Sequence, residues 1–187
     1  LSDFVPDDND IRSRLAKLCE SEGLCAPNES VVNDAKNANF SILYGLTTFS
    51  DFFNPRQMLA LLSFCKGVRN SEEVMQRSGY RQERIKALFT SLAIIIDRLA
   101  DFNSSLCVFN YTGGRGVKNT FGRQALPMVW DFAETNVFNP DGASWVSGIE
   151  DVPAGMRDAN MPLHASVARG SATAVPWPDG LFDAVVT

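Results

Sequence analysis

The chain has 187 residues, of which 45 % are hydrophobic and 21 % charged with both signs interspersed, which excludes disorder and allows one sizeable core without disulfides. Its net charge of −5 is the wrong sign for a uniformly basic nucleic-acid binder. The distribution is uneven, however: acid gathers at the start, with Asp3, Asp7, Asp8, Asp10, Glu20 and Glu22, whereas residues 102–130 carry no Asp or Glu at all.

In chain order, residues through Asn9 read as extended or frayed. Asp8 or Asn9 can cap a helix with Ile11, Leu15, Leu18 and Cys19 on one stripe, and Gly23 is a plausible stop. Ser30 can cap a short helix through Ala38, and residues 44–53 are aromatic and irregular. Asn54-Pro55 is a start signal, because Asn accepts free amide hydrogens and proline at the first helical position gives up an N–H that would be unpaired there. That helix is expected to bury Met58, Leu61, Leu62 and Cys65 and to stop near Gly67. Ser71, Glu72 and Glu73 would open another.

Residues 81–102 form the longest expected helix. Ile85, Leu88, Phe89, Leu92, Ile95, Ile96 and Leu99 keep helical spacing and Ile94 fills the remaining side, which predicts burial on more than one face. Residues 108–124 hold Gly113, Gly114, Gly116 and Gly122 and read as a loop flanked by short strands. Pro127 can open a helix through Met128, Trp130 and Phe132 to Glu134, and a weaker helix follows a turn at residues 139–142. Residues 165–170 and 182–187 read as strands about a turn at residues 176–180.

The four cysteines, Cys19, Cys25, Cys65 and Cys107, make no C-x-x-C pair, and the single histidine, His164, adds no close-spaced partner, so no metal is expected. No apolar run approaches the ~20 residues that span a bilayer, and no secretory segment is visible. Reduced thiols, a cytoplasmic setting and no membrane partner are the expectation, and the sequons at Asn28, Asn39, Asn103 and Asn110 read as chance.

The last residues, VARGSATAVPWPDGLFDAVVT, are similar to an arrangement in Rossmann-like methyltransferases. There, a polar residue after one strand lies beside the cofactor adenine, and a proline-rich turn leads to a buried Phe-Asp-x-Val-Val-Thr strand. In amino-methyltransferases Asp-Pro-Pro-Tyr comes next, and this chain stops at Thr187, where that tetrapeptide would begin. The segments YGLTTFSDFFNPRQMLALLSF (residues 44–64), IIIDRLADFNSSLCVF (94–109) and NTFGRQALPMVWDFAETNVF (119–138) resemble adenine-specific DNA methylases that carry a domain of unknown function and often a zinc ribbon. The resemblance covers residues 44–187.

It implies a mainly α chain with a small C-terminal α/β piece: a helical insertion and recognition domain over residues 1–160, and the remnant of a Rossmann-like methyltransferase sheet over residues 161–187. The implied parent activity is S-adenosylmethionine-dependent methylation of adenine N6 in DNA. The glycine-rich cofactor loop would lie upstream and the catalytic tetrapeptide downstream, so the chain is expected to be inactive alone. It would serve substrate recognition or scaffolding beside the missing halves of the methyltransferase domain. Ser171 and Ala172 fall where the cofactor adenine would lie, although Asp is common at the Ser171 position.

Arg115, Lys118, Asn119, Phe121, Arg123 and Gln124 are the candidate nucleic-acid contacts. Arg and Lys suit phosphate, Asn and Gln suit adenine edges, and Phe can stack on a base. The competing reading is a solvated loop whose Phe121 docks in the core. Arg77, Arg81, Arg84 and Lys86 read as an exposed helix face, Trp130 and Trp145 as core anchors, and Asp131 and Glu134 as surface or capping groups. Separated from their sheet, the two closing strands are expected to pair as a makeshift hairpin, to self-associate through exposed edges, or to be disordered. Two alternatives stay open: a non-enzymatic helical interaction module, and a fragment of an RNA methyltransferase.

Overall fold

A computed structural model describes residues 7–33, 40–111, 116–123, 125–126, 128–158, 167–171 and 173–186. Within these, helix α1 (Asp8–Glu22) begins with Asp8 and Asp10 at its positive end and stops at Gly23. Gly23 takes φ 59°, the left-handed conformation that glycine adopts without steric cost. Helix α2 (Pro55–Arg77) starts at the capping box expected of Asn54: Asn54 Oδ1 accepts the Gln57 N–H at 2.9 Å, and Gln57 Oε1 accepts the Asn54 N–H at 2.8 Å. The two helices meet through Leu24, Met58 and Leu62, with Leu15, Leu18 and Cys65 packed around them. Lys66 Nζ closes the far end on Glu22 Oε1 at 2.8 Å.

Gly67 does not stop α2. One glycine inside a helix costs about 1 kcal/mol relative to alanine, whereas continuing the helix buries Val68, so the expected break at Ser71 disappears into a single 23-residue element. Helix α3 (Gln82–Phe102) packs on both α2 and helix α4 (Trp145–Asp158). Ile85, Ile95 and Leu99 are its buried residues, while Ile94 is 51 % exposed, so α3 is less enclosed than its apolar sequence suggests. A Cβ built on Gly148 of α4 would stand 2.6 Å from Ile95 Cγ2, so the α3–α4 approach depends on the missing side chain.

A second core lies under the connections. Phe52, wholly buried, gathers Val31, Leu106 and Leu126, with Ile42, Leu46 and Phe49 around them. The aromatic stretch supplies it through two 3₁₀ turns, Phe40–Tyr44 and Phe49–Phe52. The main-chain N–H of Ser105 and its hydroxyl both donate to the Phe52 carbonyl at 2.7 Å, tying the end of α3 to this core. Strands β1 (Val108–Phe109) and β2 (Val117–Lys118) form an antiparallel ribbon with Val108 opposite Lys118 and Phe109 opposite Val117.

Four expected elements, two helices and two strands, are not seen among the described residues. Residues 30–33 are not helical, and the rest of that expected helix lies outside the described residues. Residues 128–136 are not helical and bend at residues 130–131, and groups at and just beyond the end of α3 take up some of their main-chain N–H groups. The Ala133 N–H donates to the Cys107 carbonyl at 3.0 Å and the Thr135 N–H to Asn103 Oδ1 at 3.0 Å. Trp130, expected in the core, is 97 % exposed as a result. Among the described residues of 167–186 there is no strand, only an isolated bridge between Ser171 and Ala174, and every one is exposed. A strand needs a neighbour for its backbone groups, and these segments have one bridge between them. No helix among the described residues is long and apolar enough to cross a membrane.

Candidate functional site

The C-terminus of α3 holds the turn that follows β2. Asp101 lies one residue before the acid-free window, and the fold lays it directly against that window. Its carboxylate accepts the Asn119 amide (Nδ2 to Oδ2, 2.8 Å) and the Phe121 main-chain N–H (to Oδ1, 2.8 Å). Its carbonyl accepts the Thr120 N–H at 2.8 Å and the Thr120 hydroxyl at 2.7 Å. Three consecutive residues are thus fastened to one helix-terminal residue. Underneath, the buried Ser104 and Thr120 hydroxyls lie 2.7 Å apart, and the buried Cys107 thiol donates to the Asp101 carbonyl at 3.3 Å.

This turn walls a pocket of about 400 Å³ into which Lys118, Asn119 and Arg123 converge, backed by Leu106, Val108 and Val129. Lys118 and Arg123 are exposed and Asn119 is half-buried. Neither cation has an ion-pair partner among the described residues. Two cations and one amide, which can both donate and accept, border this recess, whose lining is part polar and part apolar. Phe121 is 49 % exposed and does not dock into the core. Arg115 and Gln124 lie outside the described residues, so three of the six expected contacts share one pocket and Phe121 sits beside it in sequence.

The sequence reading missed two aromatic residues here. Phe109 and Tyr111 meet edge to face at 5.0 Å and are both exposed. Residues opposite one another in an antiparallel pair share a face, so Val108 and Lys118 lie on one side of the ribbon and Phe109 and Val117 on the other. Period-two alternation across residues 108–111 was the signal that pointed to this aromatic face.

Elsewhere, Ser171 is exposed. Its hydroxyl lies 2.8 Å from that of Thr173 and accepts the Thr173 N–H at 3.3 Å. Ala172 and His164 lie outside the described residues. The described residues on either side of Ser171 are exposed as well, and among them no side chain forms a wall beside its hydroxyl. The basic face on α2 and α3 is exposed as expected: Arg77 pairs with Glu73 at 2.9 Å and Arg84 lies over the Tyr80 ring at 4.6 Å. Trp145 is a packing residue, stacked on Phe64 with ring centroids 4.8 Å apart.

A second cleft, of about 450 Å³, runs between α2, the end of α3 and residues 134–138. Phe64 and Phe138 line it, and at its polar end Arg56 and Gln57 both donate to the Glu134 carboxylate. Glu134 accepts both an arginine and an amide there, a larger role than the surface carboxylate expected.

No family model, no curated protein and no solved structure matches this chain.

Proposed function

We propose that this chain is the substrate-recognition and scaffolding part of an S-adenosylmethionine-dependent DNA adenine-N6 methyltransferase, and that alone it transfers no methyl group. The observation that carries the nucleic-acid reading is the convergence of Lys118, Asn119 and Arg123 on one pocket, on a turn anchored to the end of α3. Lys118 and Arg123 bind backbone phosphates, and the aspartates that open α1 belong to a different part of the chain, where Asp8 and Asp10 pair with Arg12 and Arg14. The assignment to adenine methylation rests on the likeness of residues 44–187 to adenine-specific DNA methylases. The exposed apolar side chains of Phe182, Val185 and Val186 support a segment that completes its sheet with other parts of a methyltransferase domain.

Fluorescence anisotropy with labelled DNA and RNA of the same sequence, from 50 to 200 mM salt on the order of the range where counterion release is measurable, tests this reading. The expected result is tighter binding to DNA, with log K falling as log salt rises. K118A/R123A lowers the slope by about 2, roughly 0.9 for each phosphate that is no longer neutralised. An unchanged slope removes the interface, and tighter binding to RNA transfers the reading to an RNA methyltransferase. Methyl transfer to DNA by the chain alone refutes its inactivity.

The aromatic cleft between α2 and residues 134–138 favours a second reading, a helical module that binds a protein. Retained function of the parent after K118A/R123A, together with its loss after Phe138→Ser, would favour that alternative.

A further inference from the structure

A carboxylate only accepts hydrogen bonds, so the bond between Asp101 and Asn119 settles which way the amide faces. Nδ2 turns toward Asp101 at 2.8 Å. Oδ1 then lies over Gly122, where a Cβ would stand only 3.0 Å from it. Asp101 fastens the amide on one side, and Gly122 leaves room for its oxygen on the other. Among the described residues, one hydrogen on Nδ2 and the lone pairs on Oδ1 have no partner, and Asn119 lines the pocket that holds Lys118 and Arg123.

The geometry points to Asn119 as a reader of a nucleobase edge, with Asp101 as the positioning residue that presents it. The ligand is a nucleotide unit whose phosphate meets Lys118 or Arg123 and whose base offers an adjacent donor and acceptor. Adenine does so in the major groove or in an unpaired strand: its N6–H donates to Oδ1 and its N7 accepts from Nδ2. The main-chain bonds from Asp101 to Thr120 and Phe121 hold the amide at a fixed distance from both cations. Less rotational freedom is then lost when the base binds. This inference rests on the nucleic-acid reading of the pocket and adds which atoms do the discriminating.

The test uses the whole chain and two fluorescein-labelled oligonucleotides that differ at one adenine, intact in one and 7-deaza in the other. Replacing N7 by carbon removes one acceptor and leaves the phosphates unchanged. The wild-type chain is expected to bind the deaza strand roughly five- to tenfold more weakly. N119A and D101A are expected to bind both strands equally, since alanine at 101 has no side-chain acceptor for the Asn119 amide. D101A keeps or gains affinity overall, because it removes a negative charge from the residue that holds the cationic turn. K118A/R123A weakens both strands alike and keeps their ratio.

Equal binding of the two strands by the wild-type chain overturns the base-reading role while leaving the phosphate interface standing. A ratio in D101A that matches wild type overturns the positioning role. No binding of either strand at low salt overturns the interface, and this inference with it. If D101A does not fold, as judged by far-UV circular dichroism, Gly122→Ala decides the question: its Cβ would stand 3.0 Å from Asn119 Oδ1 and displace the amide, so the ratio is expected to move toward one, and an unmoved ratio overturns the positioning role.

Discussion

Arg56 grips Glu134 through two parallel bonds, Nη1 to Oε2 at 2.7 Å and Nη2 to Oε1 at 2.8 Å, across 78 residues of sequence. Gln57 adds a third bond to the same carboxylate at 2.6 Å. Because Gln57 also closes the capping box of Asn54, the first turn of α2 and the extended segment around Glu134 are held as one unit. Glu134→Ala strands the buried Gln57 amide and frees Arg56. It is expected to lower stability by about 1–2 kcal/mol in urea denaturation, discounted for the exposure of Arg56. Arg56→Lys keeps the charge, loses the fork and is expected to cost about 0.5–1 kcal/mol. An unmoved midpoint in both variants argues that the segment is held by other groups.

Gly148 and Gly155 lie on the same helix and make a controlled pair. A methyl on Gly148 meets Ile95 at 2.6 Å, whereas one on Gly155 meets nothing within 4 Å. Gly148→Ala is expected to destabilise by about 1–3 kcal/mol through overpacking. Gly155→Ala is expected to be neutral or to stabilise by up to ~1 kcal/mol through helix propensity. Equal thermal shifts for the two would contradict the close α3–α4 approach.

Asp51 is held below the usual carboxylate range, chiefly by the Thr48 main-chain N–H at 2.8 Å, with the Thr47 N–H at 2.9 Å assisting. A carboxyl group whose folded pKa is depressed adds stability that is complete above its unfolded value of about 3.9 and is lost as pH falls through the folded one. Asp51→Asn is therefore expected to melt below wild type at neutral pH, and the gap should close in acid. Tm measured against pH for both proteins checks this, and a gap that widens below about pH 4 reverses the sign.

The four thiols should separate by burial. Cys25 is exposed, Cys19 and Cys65 are half-buried, and Cys107 is fully buried with its Sγ on the Asp101 carbonyl. Burial also pushes the Cys65 thiol up, which leaves less thiolate to react. Brief alkylation followed by mass spectrometry is expected to label Cys25 first and Cys107 only on unfolding. Early labelling of Cys107 would show that the Ser104–Thr120 network opens in the native state.

Local chemistry was readable wherever it was self-sufficient. Asn54-Pro55, Gly23 and the spacing of Ile85, Ile95 and Leu99 each specify a helix start, stop or face through groups within a few residues; α2 begins where expected, α3 one residue later at Gln82, and α1 at Asp8 with Asp7, rather than Asp8 or Asn9, in the cap position and no side-chain cap bond. In the candidate site, Lys118, Asn119 and Arg123, singled out within the acid-free window, line one pocket. Asp101 was not legible as their holder, because only the fold brings the end of α3 against a turn 18 residues later.

By itself, then, the amino-acid order determined the helical character of this protein, its caps and the place of its cationic turn, since hydrogen bonds and side-chain periodicity within one or two turns are enough for those. Tertiary structure alone decided that Gly67 lies inside a helix, that residues 128–136 are not helical and leave Trp130 in solvent, and that the described part of the closing segment forms no strand. In each case the outcome depends on a partner distant in sequence: a buried surface for Val68, the Cys107 carbonyl and the Asn103 amide for residues 133–135, and a neighbouring strand that the described closing residues do not have.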